Sequence, residues 1–412
     1  MTIPNNSASL IERKPYMQQL RGWKNKHIIK VITGMRRSGK STMLEMLADE
    51  LRRNESEAQV QFYNFEDLNT LAIGDIMQIH THITHQLVAD KMNYLFLDEV
   101  QNVKEFERLV DSLFIRKNVD LYVTGSNAYL LSGELATLLT GRYVEIAILP
   151  FSFAEYYNYT QLLNCEKSSK QESFRNFIFH GGIPQATTES VDSESREDEV
   201  LRSILSTIIE KDIFARRDIY NKPVFGKVLD FVLYSVGSMI SPSSISTYLK
   251  SEQTEVDSRT VANYLDYLVE TYLLYRVPRY DVKGKHLLQT LDKYYMADVG
   301  FRKVRIGQKS TLDIGHLLEN IVYLELRRRN REVYIGKLRE KEIDFVVVDH
   351  KGYVSYYQVA YSTMEPQTLE RELSPLRAIK DSNPKYLLTA DMDINPVYDG
   401  IRKLNVVDWL LQ

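Results

Sequence analysis

The stretch Val31–Leu44, VITGMRRSGKSTML, constrains this chain more than any other. Its core, Gly34-Met35-Arg36-Arg37-Ser38-Gly39-Lys40-Ser41, fits the phosphate-loop pattern G-x-x-x-x-G-K-[ST]. Glycines at both ends let the backbone turn tightly and present its N–H groups. Amides at the start of a helix then form a cradle for phosphate oxygens. Lys40 is the residue to reach the β- and γ-phosphates of ATP, and the Ser41 hydroxyl is the one to hold Mg²⁺. Met35, Arg36, Arg37, Ser38 and Thr42 complete the candidate nucleotide-binding set. The flanks agree: 27–33 (HIIKVIT) reads as a buried strand, and Met43, Leu44, Leu47 and Leu51 recur at helical spacing.

Strand and helix patterns alternate through 25–150, with strands expected at 27–33, 59–65, 93–98, 119–125 and 143–148. Such alternation predicts a parallel sheet with ligands at the carboxyl ends of its strands. The apolar run 94–97 ends in Asp98-Glu99, the Walker-B arrangement. Asp98 would support Mg²⁺, and Glu99 would orient and deprotonate the attacking water. A further apolar run, 121–123, leads to Thr124, Ser126 and Asn127. Its tip is expected beside the Walker-B tip, with Ser126 or Asn127 holding the water or the γ-phosphate. Arg142 precedes the last strand and is a candidate arginine finger for a neighbouring subunit.

The runs GMRRSGKS, YLFLDEVQ, LYVTGSNAYLL, LTGRYVEI and LPFSFAEYY follow one another in order. With that spacing the chain resembles prokaryotic AAA-type P-loop ATPases that carry a C-terminal domain of unknown function, number 4143. The resemblance implies an AAA+-like fold, ATP hydrolysis with Mg²⁺, and a homo-oligomeric ring, with a hexamer as the candidate size. It implies little about the substrate.

The remainder divides by pattern. Residues 1–24 read as an N-terminal arm ending in a helix over 9–23, and 151–215 as a helical lid and linker. Residues 216–305 read as a winged helix, with Val261, Leu265, Leu268 and Val269 inward on its third helix and Arg259, Asn263, Tyr264 and Tyr267 outward. Lys283-Gly284-Lys285 is the turn of a hairpin-like wing, and Lys283 and Lys285 are candidate DNA contacts. Residues 306–412 form an α/β module. There Glu319, Glu342-Ile343-Asp344 and Gln358-Val359-Ala360 resemble the restriction-endonuclease-like layout, which sets a helix acid, an Asp and a Glu/Gln-x-Lys around a metal. Ala360 stands where the lysine belongs, so Glu319, Asp344 and Gln358 read as a degenerate nuclease site. Lys341 is expected on the opposite strand face from Asp344. The stretch 326–341 is the most basic, with Arg327, Arg328, Arg329 and Arg331 as further candidate DNA contacts.

Composition narrows the partners. A formal net charge of −3 gives no global attraction to nucleic acid, so any such binding must be local. The single cysteine, Cys165, excludes an intrachain disulfide. No apolar run reaches the length of a membrane span and no signal-peptide pattern opens the chain, so a cytoplasmic protein with no membrane association is expected. The leading expectation is an α/β ATPase that translocates or remodels duplex or branched DNA. The alternatives are a nucleotide-gated switch that binds a protein partner, and an ATP-coupled nuclease.

Overall fold

In the computed structural model, residues 12–55, 57–128, 141–163, 168–189, 194–307, 314–329, 332–393 and 396–412 are described. Cys165 and Arg331 lie outside them. The chain forms two compact units. The first runs to Ile148 and takes in 270–272; the second holds Leu149–Val269 and 273–412.

The first unit is built on five parallel strands: β1 (Ile29–Thr33), β2 (Gln59–Asn64), β3 (Asn93–Asp98), β4 (Val119–Thr124) and β5 (Tyr143–Ala147). Their order is β2-β3-β4-β1-β5. Each expected strand is present, trimmed by up to two residues. β1, β3 and β4 are buried along their whole length because helices cover both faces. Strand residues alternate between two cores. Ile29, Val31, Leu95 and Leu97 pack toward the helices Ile76–His85 and Phe106–Phe114. Ile32, Tyr94, Phe96 and Tyr122 pack toward the helices Lys14–Trp23 and Lys40–Asn54. In Phe106–Phe114 the buried residues Phe106, Leu109, Val110 and Leu113 form one helical stripe. Burial of each such side chain contributes about 1.5–3 kcal/mol. The parallel register sets the ends of β1, β3 and β4 side by side at one edge of the sheet.

The second unit begins with helices at Phe153–Leu163, Lys170–His180, Pro184–Glu189 and Glu194–Thr207, the last running into a π-helical turn at Ile208–Phe214. Helices Lys222–Tyr234, Pro242–Ser251 and Ser258–Glu270 follow, with β6 (Met239–Ile240) between the first two. β7 (Leu274–Asp281) and β8 (His286–Met296) then form an antiparallel hairpin. β9 (Glu332–Leu338), β10 (Lys341–Val348), β11 (Val354–Ala360), β12 (Lys385–Thr389), β13 (Val397–Tyr398) and β14 (Ile401–Asn405) complete the sheet. All nine strands join in the order β13-β14-β12-β11-β10-β9-β7-β8-β6. The parallel pairing of β7 with β9 therefore carries one sheet across residue 305. Among the described residues no helix is long and apolar enough to cross a membrane.

Candidate nucleotide-binding and hydrolysis site

The loop between β1 and helix Lys40–Asn54 has the backbone that the sequence pattern demands. Gly34 has φ +137°, and a Cβ there would lie 2.2 Å from the Ile148 carbonyl oxygen. Gly39, at φ +97°, caps the helix that starts at Lys40. No side chain but hydrogen fits the first position, and few tolerate the second. Met35 and Ser38 are fully buried. The Ser38 Oγ has no hydrogen-bond partner among the described residues. Arg36 reaches Glu66 at 3.0 Å, while Arg37 is exposed with a left-handed φ of 65°. Lys40 Nζ donates to the Gly34 and Met35 carbonyls at 3.1 and 3.2 Å and lies 3.6 Å from Glu99 Oε1.

Three strand tips meet here. Ser41 Oγ, at the start of the helix, donates to Asp98 Oδ1 at 3.1 Å. Thr124 Oγ1, at the end of β4, donates to the same oxygen at 2.5 Å and accepts the Glu99 N–H at 2.9 Å. One hydroxyl thus joins Asp98, the last residue of β3, to Glu99 just past it. Burial raises the Asp98 carboxyl above its ordinary range, against the hydrogen bonds from Thr124 and Ser41. Burial also works against the Glu99 charge, but Lys40, the Gln101 amide, Arg36 and Ser126 outweigh it and hold Glu99 below the usual carboxylate range. Glu99 is thereby favoured in its ionised form. Its φ of 52° is the left-handed region, a strained choice for a non-glycine residue at a functional tip. Ser126 and Asn127 are both buried just past β4.

The residues fit ATP and Mg²⁺. The second oxygen of Asp98, Oδ2, is buried without a hydrogen-bond partner among the described residues, while Oδ1 accepts from Ser41 and Thr124. A hard cation takes such oxygens, and would supply charge neutralisation for the transferred phosphoryl group. Lys40, with the amides of 34–41, would bind the phosphates. Glu99 would accept the proton of the attacking water.

An uncharacterized protein of Haemophilus influenzae is 36% identical over 98% of this chain and 100% of its own length. One of Methanocaldococcus jannaschii is 28% identical over 86% of this chain and 79% of its own. The AAA domain family matches residues 26–157. The chain is an AAA-type ATPase, of one family with the Haemophilus protein. The fold of the Walker-type ATPase PABY2304 of Pyrococcus abyssi is similar to that of this ATPase, with a TM-score of 0.50 at 15% identity, covering 72% of this chain and 96% of that one. Residues 171–311 match a domain of unknown function numbered 8612, a different family from the number 4143 that the sequence resemblance implied.

Other expected site residues of the ATPase fall elsewhere. Arg142 precedes β5, level with the start of β1 and so at the far edge of the sheet from the loop. It pairs with Asp111 at 2.7 Å. In the second unit Glu319, Asp344 and Gln358 do converge, lining a pocket of about 780 Å³. Sequence reasoning missed Lys293 there. It arrives on β8 and reaches Glu319 at 2.9 Å and Glu342 at 2.6 Å while 4% exposed. Burial disfavours the Lys293 charge, but Glu319, Asp344 and Glu342 reverse that and raise it above its ordinary range. Burial and the Glu319 charge push the Asp344 carboxyl well up. Lys341 turns to Ser374 instead, as the strand period requires.

Two expectations are corrected. Tyr264 is 6% exposed, not outward, because its ring packs edge-on against Phe225. Arg328 and Arg329 are committed inside the second unit. Arg328 donates to the Pro150 carbonyl at 3.0 Å. Arg329 pairs with Glu325 at 2.9 Å and covers the Trp409 ring at 4.1 Å. Lys283, Lys285 and Arg327 are exposed.

Proposed function

We propose that this ATPase hydrolyses ATP through Lys40, Ser41, Asp98 and Glu99 and couples the reaction to DNA, translocating or remodelling duplex or branched DNA. It works as a homo-oligomeric ring in which Arg142 exchanges Asp111 for a neighbour's γ-phosphate. The helices of 153–214 act as the lid. The helices from Lys222 to Glu270 with the β7–β8 hairpin act as a winged helix. The observation that carries the DNA reading is the hairpin turn. Lys283 and Lys285 are both exposed there, and no ion pair is seen at either among the described residues. Exposed ammonium groups on this turn suit phosphate contacts, with the salt dependence that counterion release brings.

The test is the ATPase rate across single-stranded, duplex, forked and four-way-junction DNA. Stimulation by at least one of these, lost in Lys283→Ala/Lys285→Ala, is expected. A rate indifferent to all of them favours a nucleotide-gated switch for a protein partner. That second reading has its own support: helix Ser258–Glu270 carries Asp266, paired to Arg276 at 2.5 Å, and buries Tyr264, so it is poorly built to read bases.

The Glu319–Asp344–Gln358 pocket is read as a nuclease-derived site whose counter-charge is Lys293 in place of a metal ion. Among the described residues no three His, Cys, Asp or Glu side chains are placed to hold a metal. Metal-dependent nicking of plasmid DNA that disappears in Asp344→Ala would restore the ATP-coupled nuclease reading.

A further inference from the structure

Gln101 sits two residues beyond the base, in the short 3-10 turn Val100–Asn102. Its Nε2 donates to Glu99 Oε2. Glu99 is a carboxylate and only accepts, so the NH₂ end of the amide must face it. The carbonyl end is thereby fixed on the other side. That oxygen, Gln101 Oε1, is buried and has no hydrogen-bond partner among the described residues. Three more buried oxygens of the same site, Ser38 Oγ, Asp98 Oδ2 and Ser126 Oγ, share the condition. Buried polar atoms are rarely left unpaired, and those that are ask for a missing partner. For Asp98 the missing partner is a cation. A cation does not suit a lone amide oxygen already tied to a carboxylate; a donor does.

Hydrolysis brings one donor with two O–H groups, the attacking water. We propose that Gln101 positions this water: its Nε2 holds the Glu99 carboxylate, and its Oε1 accepts one water hydrogen while Glu99 accepts the other. The inference rests on the hydrolytic reading of the site. With both hydrogens engaged, the water oxygen turns a lone pair outward to phosphorus. The oxygen–phosphorus bond forms and the bond from phosphorus to the β–γ bridging oxygen breaks, its electron pair leaving with ADP. The water proton passes to Glu99 and on to the phosphate released. Both ends of one amide are used, which accounts for the hydrogen bond made and the one left open.

Gln101→Leu removes both ends at similar volume; Gln101→Asn keeps an amide but cannot span the gap, and serves if the leucine variant folds poorly. In either, kcat is expected to fall about 100-fold, the scale of a lost proton-transfer geometry. The affinity for a fluorescent ATP analogue stays within about twofold, because the phosphate cradle is untouched. A second measurement needs no turnover. In nucleotide-free protein with ¹³C-labelled glutamate carboxylates, the resonance absent from Glu99→Gln identifies Glu99. It should titrate at higher pH in Gln101→Leu than in the wild type, since a hydrogen bond to the charged form is gone. A kcat within about threefold of wild type in both variants, or an unmoved Glu99 titration, overturns the proposal. A wild-type protein that hydrolyses no ATP overturns the hydrolytic reading instead, and the titration still decides what Gln101 does to Glu99.

Discussion

The Arg13 guanidinium donates to the Ser38 carbonyl oxygen at 3.0 Å, tying the end of the N-terminal arm to the middle of the phosphate loop. Arg13 is 3% exposed and stacks over Tyr16 at 4.6 Å, so the contact is buried and pre-set. A charge-assisted hydrogen bond of this kind contributes about 1.5–3 kcal/mol. Part of that holds the loop in its binding shape. Arg13→Ala should weaken nucleotide binding about tenfold, the equivalent of 1.4 kcal/mol, with kcat at saturation nearly kept. Titration with a fluorescent ADP analogue measures the first effect and steady-state turnover the second. Unchanged affinity would leave Arg13 as packing alone.

Thr124 bridges the two acidic residues proposed to serve hydrolysis. Replacing it with valine keeps the shape and removes the hydroxyl, so Asp98 Oδ1 loses a donor and the Glu99 N–H loses its acceptor. Thr124→Val should lower kcat by about 10–100-fold while the fold persists. Glu99→Gln should do more: ATP binding intact, and hydrolysis down by at least about 100-fold. Phosphate-release assays on both variants check this. Near-normal turnover in Glu99→Gln would remove Glu99 from its role.

The phosphate loop, the Walker-B tip and all five strands of the first sheet were legible because their chemistry fixes a local pattern. Gly34 must be glycine where a Cβ would strike the Ile148 carbonyl. β1, β3 and β4 read as apolar runs because both their faces are covered. What escaped was contact between distant segments. Arg13 lies 25 residues before Ser38, and no local pattern marks it. Lys293 precedes Glu319 by 26 residues and lies in a segment read as a wing, so only the shared sheet brings it to the acids. Formal charge also misled. Arg328 and Arg329 count as positive in the sequence, yet their guanidinium groups are spent on Glu325 and on backbone carbonyls. Thr124 and Gln101 stood in quoted motifs without a role, because a hydroxyl or an amide has meaning only once its neighbours are placed.

Lys30 and Asp120 form an ion pair in the heart of the first sheet, with side chains 0% and 1% exposed. Tyr122 donates to Asp120 Oδ2 at 3.2 Å, the Asn25 N–H donates to it at 2.8 Å, and Lys30 also reaches the Lys26 carbonyl at 2.7 Å. Burial lowers Lys30 from its ordinary value in spite of Asp120. Removing one partner strands the other charge. Asp120→Ala should therefore destabilise the unit by about 3–5 kcal/mol, while Lys30→Met/Asp120→Leu together should cost far less. Chemical denaturation of the two variants gives the comparison, and equal losses would show that the pair itself stabilises the fold.

Asp298 is a buried acid of the second unit, 3% exposed. It accepts the Gly182 N–H at 2.7 Å and the Gly300 N–H at 2.8 Å, and so pins the turn His180-Gly181-Gly182. Burial pushes its carboxyl up to about 7. An unfolded aspartate titrates near 4. The folded state thus binds the proton more tightly, and the stability that this lends is complete below about pH 4 and lost as pH rises to about 7. Integrated over that window the loss is about 4 kcal/mol. Asp298→Asn carries no charge at any pH and so lacks this slope. It gives up one acceptor to a buried N–H, a cost of about 1–3 kcal/mol that does not vary with pH. The variant should be less stable than wild type at pH 5 and should match or exceed it at pH 8. Urea midpoints of the full chain at both values decide it: parallel curves would mean that Asp298 is ionised throughout, held by its two backbone donors against the burial that opposes its charge.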